Sequence, residues 1–337
     1  MNKTYIIAEI GPNHNGSFKI AKKMISLLKN SGVDAIKFQL ANPDNVYSKN
    51  AFKAEYQKKN TGKGSIIEMS RKYQLSKQDH LKLANLCYKN KIDYLCSAFD
   101  TESLEFLVKK AKVKYIKVPS GEITSLDMLD YISNLKKKII LSTGMATINE
   151  IKDAIKKLCK KHRQNIVILY CVSSYPTDKK DLNLNIIREF QRTFKFDIGF
   201  SDHSLGNEAC LAAVAMGAKV IEKHVTISKK KNGPDHSSSS SIKDFYSLVK
   251  QIRELETLLG GSNKKLLKSE KNTRDVSRKS LIANKDLMRG KKLKLSDIVF
   301  KRPGTGISPM KVRSIIGMKI RKKIPADNLI LMKHLKK

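Results

Sequence analysis

The 337-residue sequence contains little cysteine and no long hydrophobic run. Its five cysteines are scattered and include no CxxC pair; they are Cys87, Cys96, Cys159, Cys171 and Cys210. This distribution argues against a disulfide framework or a thiolate zinc site, and it fits a reducing compartment. No apolar run approaches transmembrane length, and the run 5–8 is too short for a signal-peptide core. We therefore expect a soluble, cytoplasmic protein with no membrane partner.

Arginine and aromatic residues are also sparse, although the chain is strongly basic. The 67 Lys and Arg residues against 31 Asp and Glu give a formal net charge of +36, which by itself suggests a nucleic-acid-binding protein. Only 11 of the basic residues are Arg, aromatics make up 7%, and Lys is spread over the predicted helices. Surfaces that read bases or stack on them need Arg and clustered aromatics. We therefore expect no specific nucleic-acid partner, and an anionic substrate explains the charge equally well.

Eight β-type runs alternate with amphipathic helical segments along the chain. Each run is short and apolar, as expected of a strand that is buried on both faces. The runs are Tyr5–Ile10, Ala35–Leu40, Ile92–Ala98, Tyr115–Val118, Ile139–Ser142, Ile166–Cys171, Ile198–Phe200 and Val220–Lys223. This alternation predicts an α/β fold, a (β/α)₈ TIM barrel over residues 1–261. A doubly wound sheet is the alternative, but its GxGxxG turn is absent.

Two segments interrupt this pattern. The residues from Ala41 to Leu75 are rich in Lys, Asn and Gly and are interpreted as a lid or binding loop. After Leu259, a polar stretch over 262–279 is interpreted as a linker. The remaining residues, 280–337, carry short strand-like pieces and turn residues, and they predict a small β-rich domain of marginal independent stability.

Two histidines follow neighbouring predicted strands where each strand ends. Ser201-Asp202-His203 follows one run, Glu222-Lys223-His224 follows the next, and a helix over 205–217 is predicted between them. Because the carboxyl ends of parallel strands meet at one end of a barrel, both imidazoles would face an open divalent metal site. Two unrelated surface or core histidines are the alternative.

Two lysines stand inside apolar β-runs. Lys37 and Lys117 would point inward at the barrel mouth, where an unpaired ammonium group is costly. A phosphate and a carboxylate on a substrate would pair with them, and nearby hydroxyls would add hydrogen bonds to the phosphate: Ser120, Ser142 and Thr143. Salt bridges to Glu9 or Glu122 are the alternative.

Other polar residues have simpler interpretations. His14 and His236 fit solvated loop histidines, and the serines 237–241 fit a flexible loop. Asp202 fits a cap of the following helix as well as it fits a catalytic group.

Ten motifs occur in order along nearly the whole chain: AEIGPNHNGS, DAIKFQ, YIKVPSGE, IILSTGMAT, CVSSYPT, GFSDHS, VIEKHVT, GPDH, RKSLIA and KRPGTGISPM. Together they resemble the sialic acid synthase family, which makes N-acetylneuraminate and related nonulosonates from phosphoenolpyruvate. The resemblance implies a TIM barrel followed by an antifreeze-like (SAF, β-clip) domain, in a domain-swapped homodimer that places each small domain over the partner's active site.

The implied activity is that of an N-acetylneuraminate synthase, which condenses phosphoenolpyruvate with N-acetylmannosamine and releases phosphate. An N,N'-diacetyllegionaminate synthase that uses 2,4-diacetamido-2,4,6-trideoxymannose is the alternative within the family. A nucleic-acid-binding protein or a noncatalytic carbohydrate- or ice-binding protein is the alternative outside it, and such a function leaves the polar residues of the barrel unexplained.

The resemblance also implies roles for individual residues. His203 and His224 would bind a divalent metal, typically Mn²⁺, with Mg²⁺ or Co²⁺ as alternatives. Contacts to phosphoenolpyruvate are implied for Lys37, Ser97, Lys117, Ser120, Ser142, Ser173 and Ser201. Contacts to the amino sugar are implied for Glu9, Gln39, Tyr175, Asp235 and, across the dimer, Arg302. Glu122 would act with Lys117 and Glu9 in catalysis, as the carboxylate nearest the reacting carbons. The chain departs from the usual family pattern at Ala98, Ser173 and Asp178.

Overall fold

Eight parallel strands close into a barrel in the computed structural model, which describes residues 3–160 and 165–337. Each strand pairs with the next along the chain, and the eighth pairs with the first, so the predicted TIM barrel is confirmed. The strands are β1 Tyr5–Glu9, β2 Ala35–Leu40, β3 Asp93–Ala98, β4 Tyr115–Val118, β5 Lys138–Ser142, β6 Ile166–Cys171, β7 Asp197–Asp202 and β8 Val220–Thr226. A two-residue strand, β9 Ser240–Ser241, pairs in parallel with the end of β8.

Helices follow the strands, and those outside the segment Ala41 to Leu75 pack against the outside of the barrel. They are α1 Phe18–Leu28, α2 Pro43–Val46, α3 Glu55–Thr61, α4 Ile66–Tyr73, α5 Lys77–Lys89, α6 Thr101–Lys109, α7 Leu126–Ser133, α8 Ile148–Leu158, α9 Ile186–Thr193, α10 Glu208–Ala215 and α11 Ile242–Leu259. Helix α10 is shorter than the helix predicted over 205–217. Gly206 has a φ of +86°, which helical backbone does not allow, and Asn207 precedes the first helical residue.

Alternate residues of each strand lie on opposite faces of the barrel wall. The outward set packs against the helices in the large core, whereas the inward set forms a smaller core that includes Ile7, Leu95 and Leu169. Gly199 lies where the inward side chains are closest, since a Cβ there would lie 2.5 Å from Leu169 Cδ2. At the carboxyl ends, the inward positions change from apolar to polar, and these positions build the site described below.

The segment from Ala41 to Leu75, interpreted from its composition as a loop, is largely helical. It contains α2, α3 and α4, and it has a small buried core of its own formed by Ile66, Met69 and Tyr73. Ser65 and Glu68 cap α4 reciprocally, since each side chain accepts a hydrogen bond from the other residue's backbone N–H. The capping and the core explain why a Lys- and Asn-rich sequence is ordered here.

The chain divides into two compact units, residues 1–261 and residues 262–337. The second unit begins within the segment interpreted as a linker, which contains the helix α12 Lys271–Ser277. It continues with two antiparallel pairs, β10 Ser280–Ala283 with β11 Ile298–Lys301 and β12 Lys319–Ile320 with β13 Leu335–Lys336. Its separate core includes Leu281, Leu287 and Ile320. No helix in the described part of the chain combines the length and apolar character needed for a membrane crossing.

Candidate active site

A cavity of about 280 Å³, the main cavity, lies at the carboxyl ends of the barrel strands. Twelve of the residues implied by the resemblance line it, so the structure brings them together: Glu9, Lys37, Gln39, Ser97, Lys117, Ser120, Ser142, Ser173, Tyr175, Ser201, His203 and His224. They converge because they stand at inward positions of the strands or in the turns that follow. Their roles remain predictions.

Two buried lysines and two buried carboxylates form the charged centre of the main cavity. Lys37 Nζ lies 3.0 Å from Glu9 Oε2 and 3.4 Å from Glu222 Oε1. Lys117 Nζ lies 3.8 Å from the same Glu222 oxygen and donates a hydrogen bond to Ser142 at 2.6 Å. The salt-bridge interpretation of the lysines has support, with Glu9 as one partner and Glu222, not Glu122, as the other. The anion-binding interpretation also has support, because both ammonium groups line an open cavity.

This arrangement shifts the pKa values of the Glu9 and Glu222 carboxyl groups in opposite directions. Burial raises the pKa of Glu9, with Lys37 opposing the shift. Burial acts on Glu222 in the same sense, but Lys117, Lys37 and the Ser201 hydroxyl lower its pKa to about 2 overall. Burial lowers the pKa of Lys117. Pairs of acids whose pKa values are driven apart are typical of acid–base sites.

His203 and His224 face each other across the main cavity. Their ring centroids lie 5.4 Å apart, and Tyr175 packs against both rings. Burial lowers the pKa of each imidazole, and for His224 the neighbouring His203 adds to the shift. Both rings are therefore neutral near pH 7, which is the form that binds a metal.

The two imidazoles fit the ligand set of an open metal site. His203 Nδ1 lies 2.7 Å from the Val172 carbonyl, which directs Nδ1–H to the backbone and leaves Nε2 with a free lone pair. His224 Nδ1 is buried without a hydrogen-bond partner among the described residues and lies 3.5 Å from Asp235 Oδ2. No group of three or more His, Cys, Asp or Glu side chains in the described ranges forms a closed metal site. The protein would supply two ligands and leave other positions to water and substrate.

Glu122 does not line the main cavity, although the resemblance implies it as the carboxylate nearest the reacting carbons. It ends a 3₁₀ turn, Ser120–Glu122, that follows β4, and its carboxylate accepts a hydrogen bond from Ser125. Glu222 occupies the expected central position instead. The sequence contains a signal for it, since Glu222 and His224 are two residues apart in one strand and therefore share a face.

A second cavity of about 210 Å³ adjoins the main one. It contains Asp235, the implied sugar contact that does not line the main cavity, and much of its wall comes from the segment Ala41 to Leu75. Tyr56 of that segment lines both cavities and stacks on Tyr175 with ring centroids 4.9 Å apart. The sequence interpretation assigned no role to Tyr56, because only the folded segment brings it to the barrel mouth.

Several simpler interpretations of polar residues are wrong. His14 and His236 are buried, not solvated: His14 accepts a hydrogen bond from the Gly16 N–H, and His236 is bonded to Thr226 and Asn15. The serines 237–241 are ordered, since the run includes β9 and Ser238, Ser239 and Ser240 are buried.

Asp202 does not cap α10, which begins after Asn207. It forms a buried ion pair with Lys223 Nζ at 2.5 Å instead.

The remaining implied residues lie elsewhere. Arg302 is exposed and belongs to the second unit. Of the three departures from the family pattern, Ala98 is buried at the end of β3, Ser173 lines the main cavity, and Asp178 caps a short 3₁₀ turn on the surface.

Comparisons with known proteins match this architecture over most of the chain. The NeuB family matches residues 24–264, and the SAF domain matches residues 278–336. The chain is 42% identical to the N,N'-diacetyllegionaminic acid synthase of Campylobacter jejuni, over 98% of this chain and 99% of that protein. It is 37% identical to the protein of the same name from Legionella pneumophila, over 98% and 94%.

More distant relatives carry other names. The N-acetylneuraminate-9-phosphate synthase of Homo sapiens is 30% identical, over 97% of this chain and 91% of that protein. Among solved structures, the N-acetylneuraminic acid (sialic acid) synthetase of Leptospira borgpetersenii, in complex with citrate, superposes with a TM-score of 0.73 at 32% identity, over 81% of this chain and 90% of that one.

Proposed function

Because the chain belongs to the NeuB family and carries a SAF domain, we propose that it condenses phosphoenolpyruvate with an N-acyl mannosamine-type aldehyde to give a nine-carbon nonulosonic acid and phosphate. The observation that carries this proposal is the composition of the main cavity. Two buried ammonium groups and two neutral imidazoles face the same space of about 280 Å³, which suits a trianionic enol phosphate and a carbonyl acceptor side by side.

The lysines bind the anionic substrate in this proposal. Lys37 and Lys117 pair with the phosphate and carboxylate of phosphoenolpyruvate, and the serines around them donate hydrogen bonds to the phosphate oxygens: Ser97, Ser120, Ser142, Ser173 and Ser201. Glu222 holds both lysines in place before the substrate arrives, since it lies within 4 Å of each Nζ.

The chemistry begins when C3 of phosphoenolpyruvate attacks the aldehyde carbon of the open-chain sugar and forms the new carbon–carbon bond. Glu9, whose pKa burial raises while Lys37 opposes the shift, is the group placed to give a proton to the aldehyde oxygen. Positive charge then develops at C2, and the ionised Glu222 stabilises it electrostatically. Water adds to C2 and loses a proton to Glu9. The C2–O bond to phosphate then breaks as the C2 hydroxyl passes its proton to the departing phosphate oxygen, which leaves the keto group and inorganic phosphate.

His203 and His224 are the residues that would hold a divalent metal, with Mn²⁺ proposed first and Mg²⁺ or Co²⁺ as alternatives. When bound, such an ion supplies Lewis acidity and a template for the carbonyl oxygen. Asp235 Oδ2 lies 3.5 Å from His224 Nδ1, and Tyr175 packs against both rings.

N,N'-diacetyllegionaminate is the product that the relatives favour. N-acetylneuraminate was the first expectation from sequence, with the legionaminate as the alternative. The relatives at 42% and 37% identity are both named N,N'-diacetyllegionaminic acid synthase, whereas the neuraminate-9-phosphate relative is 30% identical. We therefore propose 2,4-diacetamido-2,4,6-trideoxymannose as the preferred acceptor and N-acetylmannosamine as the second candidate.

The test is consumption of phosphoenolpyruvate by the purified protein with each acceptor, with and without Mn²⁺. We expect turnover with at least one of the two sugars, dependent on the metal and abolished in His203→Ala. Binding of Mn²⁺ measured by electron paramagnetic resonance should be lost in the same variant while thermal unfolding remains cooperative. Full activity of His203→Ala would contradict the metal role, and no turnover with either sugar would contradict the proposal itself.

We also propose a homodimer in which a partner covers the main cavity. Exposed apolar side chains occur in the segments that follow the carboxyl ends of the strands, and we call them the apolar rim: Phe52, Leu126, Met145 and Leu205. Phe52 is 83% and Met145 is 74% exposed, and a partner that buried such large apolar side chains would remove them from water. Arg302 of the partner would then reach the acyl group of the sugar. A cytoplasmic location is supported by the five free thiols.

A further inference from the structure

A buried ion pair lies directly behind the two imidazoles, on the outer face of the barrel wall. His224 lines the main cavity, so its neighbour Lys223 points the opposite way, out of the barrel. Asp202 stands opposite Lys223 in the register of β7 and β8, and it immediately precedes His203. The exposed fractions of the Lys223 and Asp202 side chains are 2% and 0%. The pair is therefore shielded from solvent and adjoins both imidazole-bearing residues along the chain.

The hydrogen bonds of this pair connect both neighbours of His203 to a neighbour of His224. Lys223 Nζ lies 2.5 Å from Asp202 Oδ2 and donates to the Ser204 carbonyl at 2.8 Å. The Ser204 backbone N–H and hydroxyl both donate to Asp202 Oδ1, at 2.8 and 2.7 Å. We call Asp202, Ser204 and Lys223 the wall cluster. It joins the two backbone segments that carry the imidazoles.

His203 depends on such contacts because the ladder of β7 stops short of it. Strand β7 ends at Asp202, whereas His224 lies inside β8. The loop after β6 contacts His203 through the Val172 carbonyl and the Thr177 N–H, but these contacts relate it to β6. The wall cluster relates it to β8, where the other imidazole is carried.

The charges of the wall cluster have a use that apolar side chains would lack. Removing two charges from water has a large cost, and well-packed apolar groups of similar volume often stabilise a fold as well as a buried ion pair does. Hydrogen bonds, however, hold only when donor and acceptor are close and aligned. Apolar groups at the same place would fill the space without fixing the turn after β7.

We propose that Asp202 and Lys223 are positioning residues, whose ion pair holds His203 and His224 at the separation at which one divalent ion binds both rings. This inference rests on the metal role that the proposed function gives to the two imidazoles, whose centroids lie 5.4 Å apart. Metal–ligand distances vary by only about 0.2 Å, so a small shift of either backbone segment weakens binding. Neither Asp202 nor Lys223 lines the main cavity, so both act through the histidines.

The experiment measures the dissociation constant of Mn²⁺ alone, by electron paramagnetic resonance, in the unmodified protein and in Asp202→Leu/Lys223→Met. The double variant removes both charges together, so that neither is left buried and unpaired. We expect it to unfold cooperatively and to bind Mn²⁺ about tenfold or more weakly, as is typical when a group behind a metal ligand is removed. A role in stability alone would leave the dissociation constant unchanged.

His80→Leu/Tyr94→Phe is the matched control. It replaces another buried polar pair on the outer face of the wall by apolar groups, since His80 Nδ1 lies 2.6 Å from the Tyr94 hydroxyl within the large core. Neither residue lines the main cavity. This variant should leave Mn²⁺ binding unchanged, whatever its effect on the free energy of unfolding.

Two single variants replace the double variant if it does not fold. Ser204→Ala removes a hydrogen bond to Asp202 Oδ1 beside His203, whereas Cys210→Ala removes the bond that α10 makes to Asp202 Oδ2 at 3.2 Å. We expect Ser204→Ala to weaken Mn²⁺ binding about two- to tenfold, the range that one hydrogen bond contributes. Cys210→Ala should leave it unchanged, because Cys210 is not joined to either imidazole-bearing segment except through Asp202.

The outcomes separate this inference from the proposed function. Unchanged Mn²⁺ binding in the folded double variant, or in Ser204→Ala where the double variant does not fold, would overturn the inference and leave the proposed function standing. Equal weakening in His80→Leu/Tyr94→Phe would also overturn it, because general loosening of the barrel would then explain the loss. If the unmodified protein binds Mn²⁺ no better than His203→Ala does, the metal role in the proposed function fails, and the inference fails with it.

Discussion

Glu222 contacts both site lysines, whereas Glu122 is the carboxylate that the resemblance implies for the same centre. We expect Glu222→Gln to lower kcat about 100-fold or more, because Lys37 and Lys117 lose their shared anion and C2 loses its stabilising charge. Glu122→Gln should lower kcat less than about tenfold, since its carboxylate is bonded to Ser125 outside the main cavity. Steady-state kinetics on phosphoenolpyruvate measures both, and a larger loss in Glu122→Gln would contradict the assignment.

His80 makes the stability of the protein sensitive to acid. Its ring is fully buried, its Nδ1 lies 2.6 Å from the Tyr94 hydroxyl, and burial lowers its pKa from 6.5 to about 4. Between about pH 6.5 and pH 4, His80 is therefore protonated in the unfolded chain but neutral in the folded chain. The free energy of unfolding keeps this contribution in full above about pH 6.5 and loses it as the pH falls towards 4. At pH 5 the loss is about 2 kcal/mol.

Denaturant unfolding of the protein and of His80→Gln at pH 8 and pH 5 measures this contribution. The variant should lose about 2 kcal/mol less on acidification. An identical loss in both proteins would show that His80 does not carry the effect.

Sequence reasoning at the residue scale predicts many of the residues that line the main cavity but not every one of them. A polar residue in or directly after an apolar strand is conspicuous in a sequence, and this signal predicts His203, His224, Lys37 and Lys117. Tyr56 was missed because an aromatic residue in a polar segment carries no such signal until the segment folds over the barrel. His14 was misjudged because burial of a loop residue depends on what packs over it.

At the scale of elements, β7 and β8 are joined by side chains on both faces. Ser201 donates to Glu222 at 3.0 Å inside the barrel, and Lys223 pairs with Asp202 at 2.5 Å outside it. We expect Lys223→Met to destabilise the protein by about 3–5 kcal/mol, because the Asp202 carboxylate is left buried without its cation. Replacing both residues, as Asp202→Leu/Lys223→Met, should cost less than the single change. Equilibrium unfolding tests this, and additive losses would contradict the coupling.

Composition predicts a loop in the segment Ala41 to Leu75, where the structure has helices. Helix α8 was predictable from the capping box of Thr147 and Glu150, and α4 carries the same signal in Ser65 and Glu68. The segment Ala41 to Leu75, between β2 and β3, is nevertheless interpreted as a loop from its sequence, because its many Lys, Asn and Gly residues favour a loop more strongly than one capping box favours a helix. Helices as short as α2, α3 and α4 are marginal in isolation, so their order depends on packing around the small core of Ile66, Met69 and Tyr73.

For the whole molecule, the proposed dimer predicts a concentration-dependent mass. Sedimentation should give a dimer at micromolar concentrations, and Leu126→Lys should weaken it because a charge in the apolar rim would have to be desolvated. Leu258→Lys is the matched control, an exposed leucine at the end of α11 and not one of the rim residues. A monomer at all concentrations would exclude the dimer and, with it, the role of Arg302.

The order of strands around the barrel was readable from the sequence, whereas assembly was not. Alternating apolar runs and amphipathic helices leave few topologies, because parallel strands joined by helices close in chain order. A partner's position has no comparable local signal, and it entered only through the resemblance.

The inward and outward alternation of the strands limits how this enzyme can change over evolution. Inserting one residue before Glu222 would shift the register of β8 by one. Lys223 would then point into the barrel, and the side chains of Glu222 and His224 would both point out of it, so one insertion would remove two groups from the site. Length changes are therefore tolerated only outside the wall, as in the segment Ala41 to Leu75. New acceptor preferences should arise there by insertion and deletion, while the condensing chemistry is inherited unchanged.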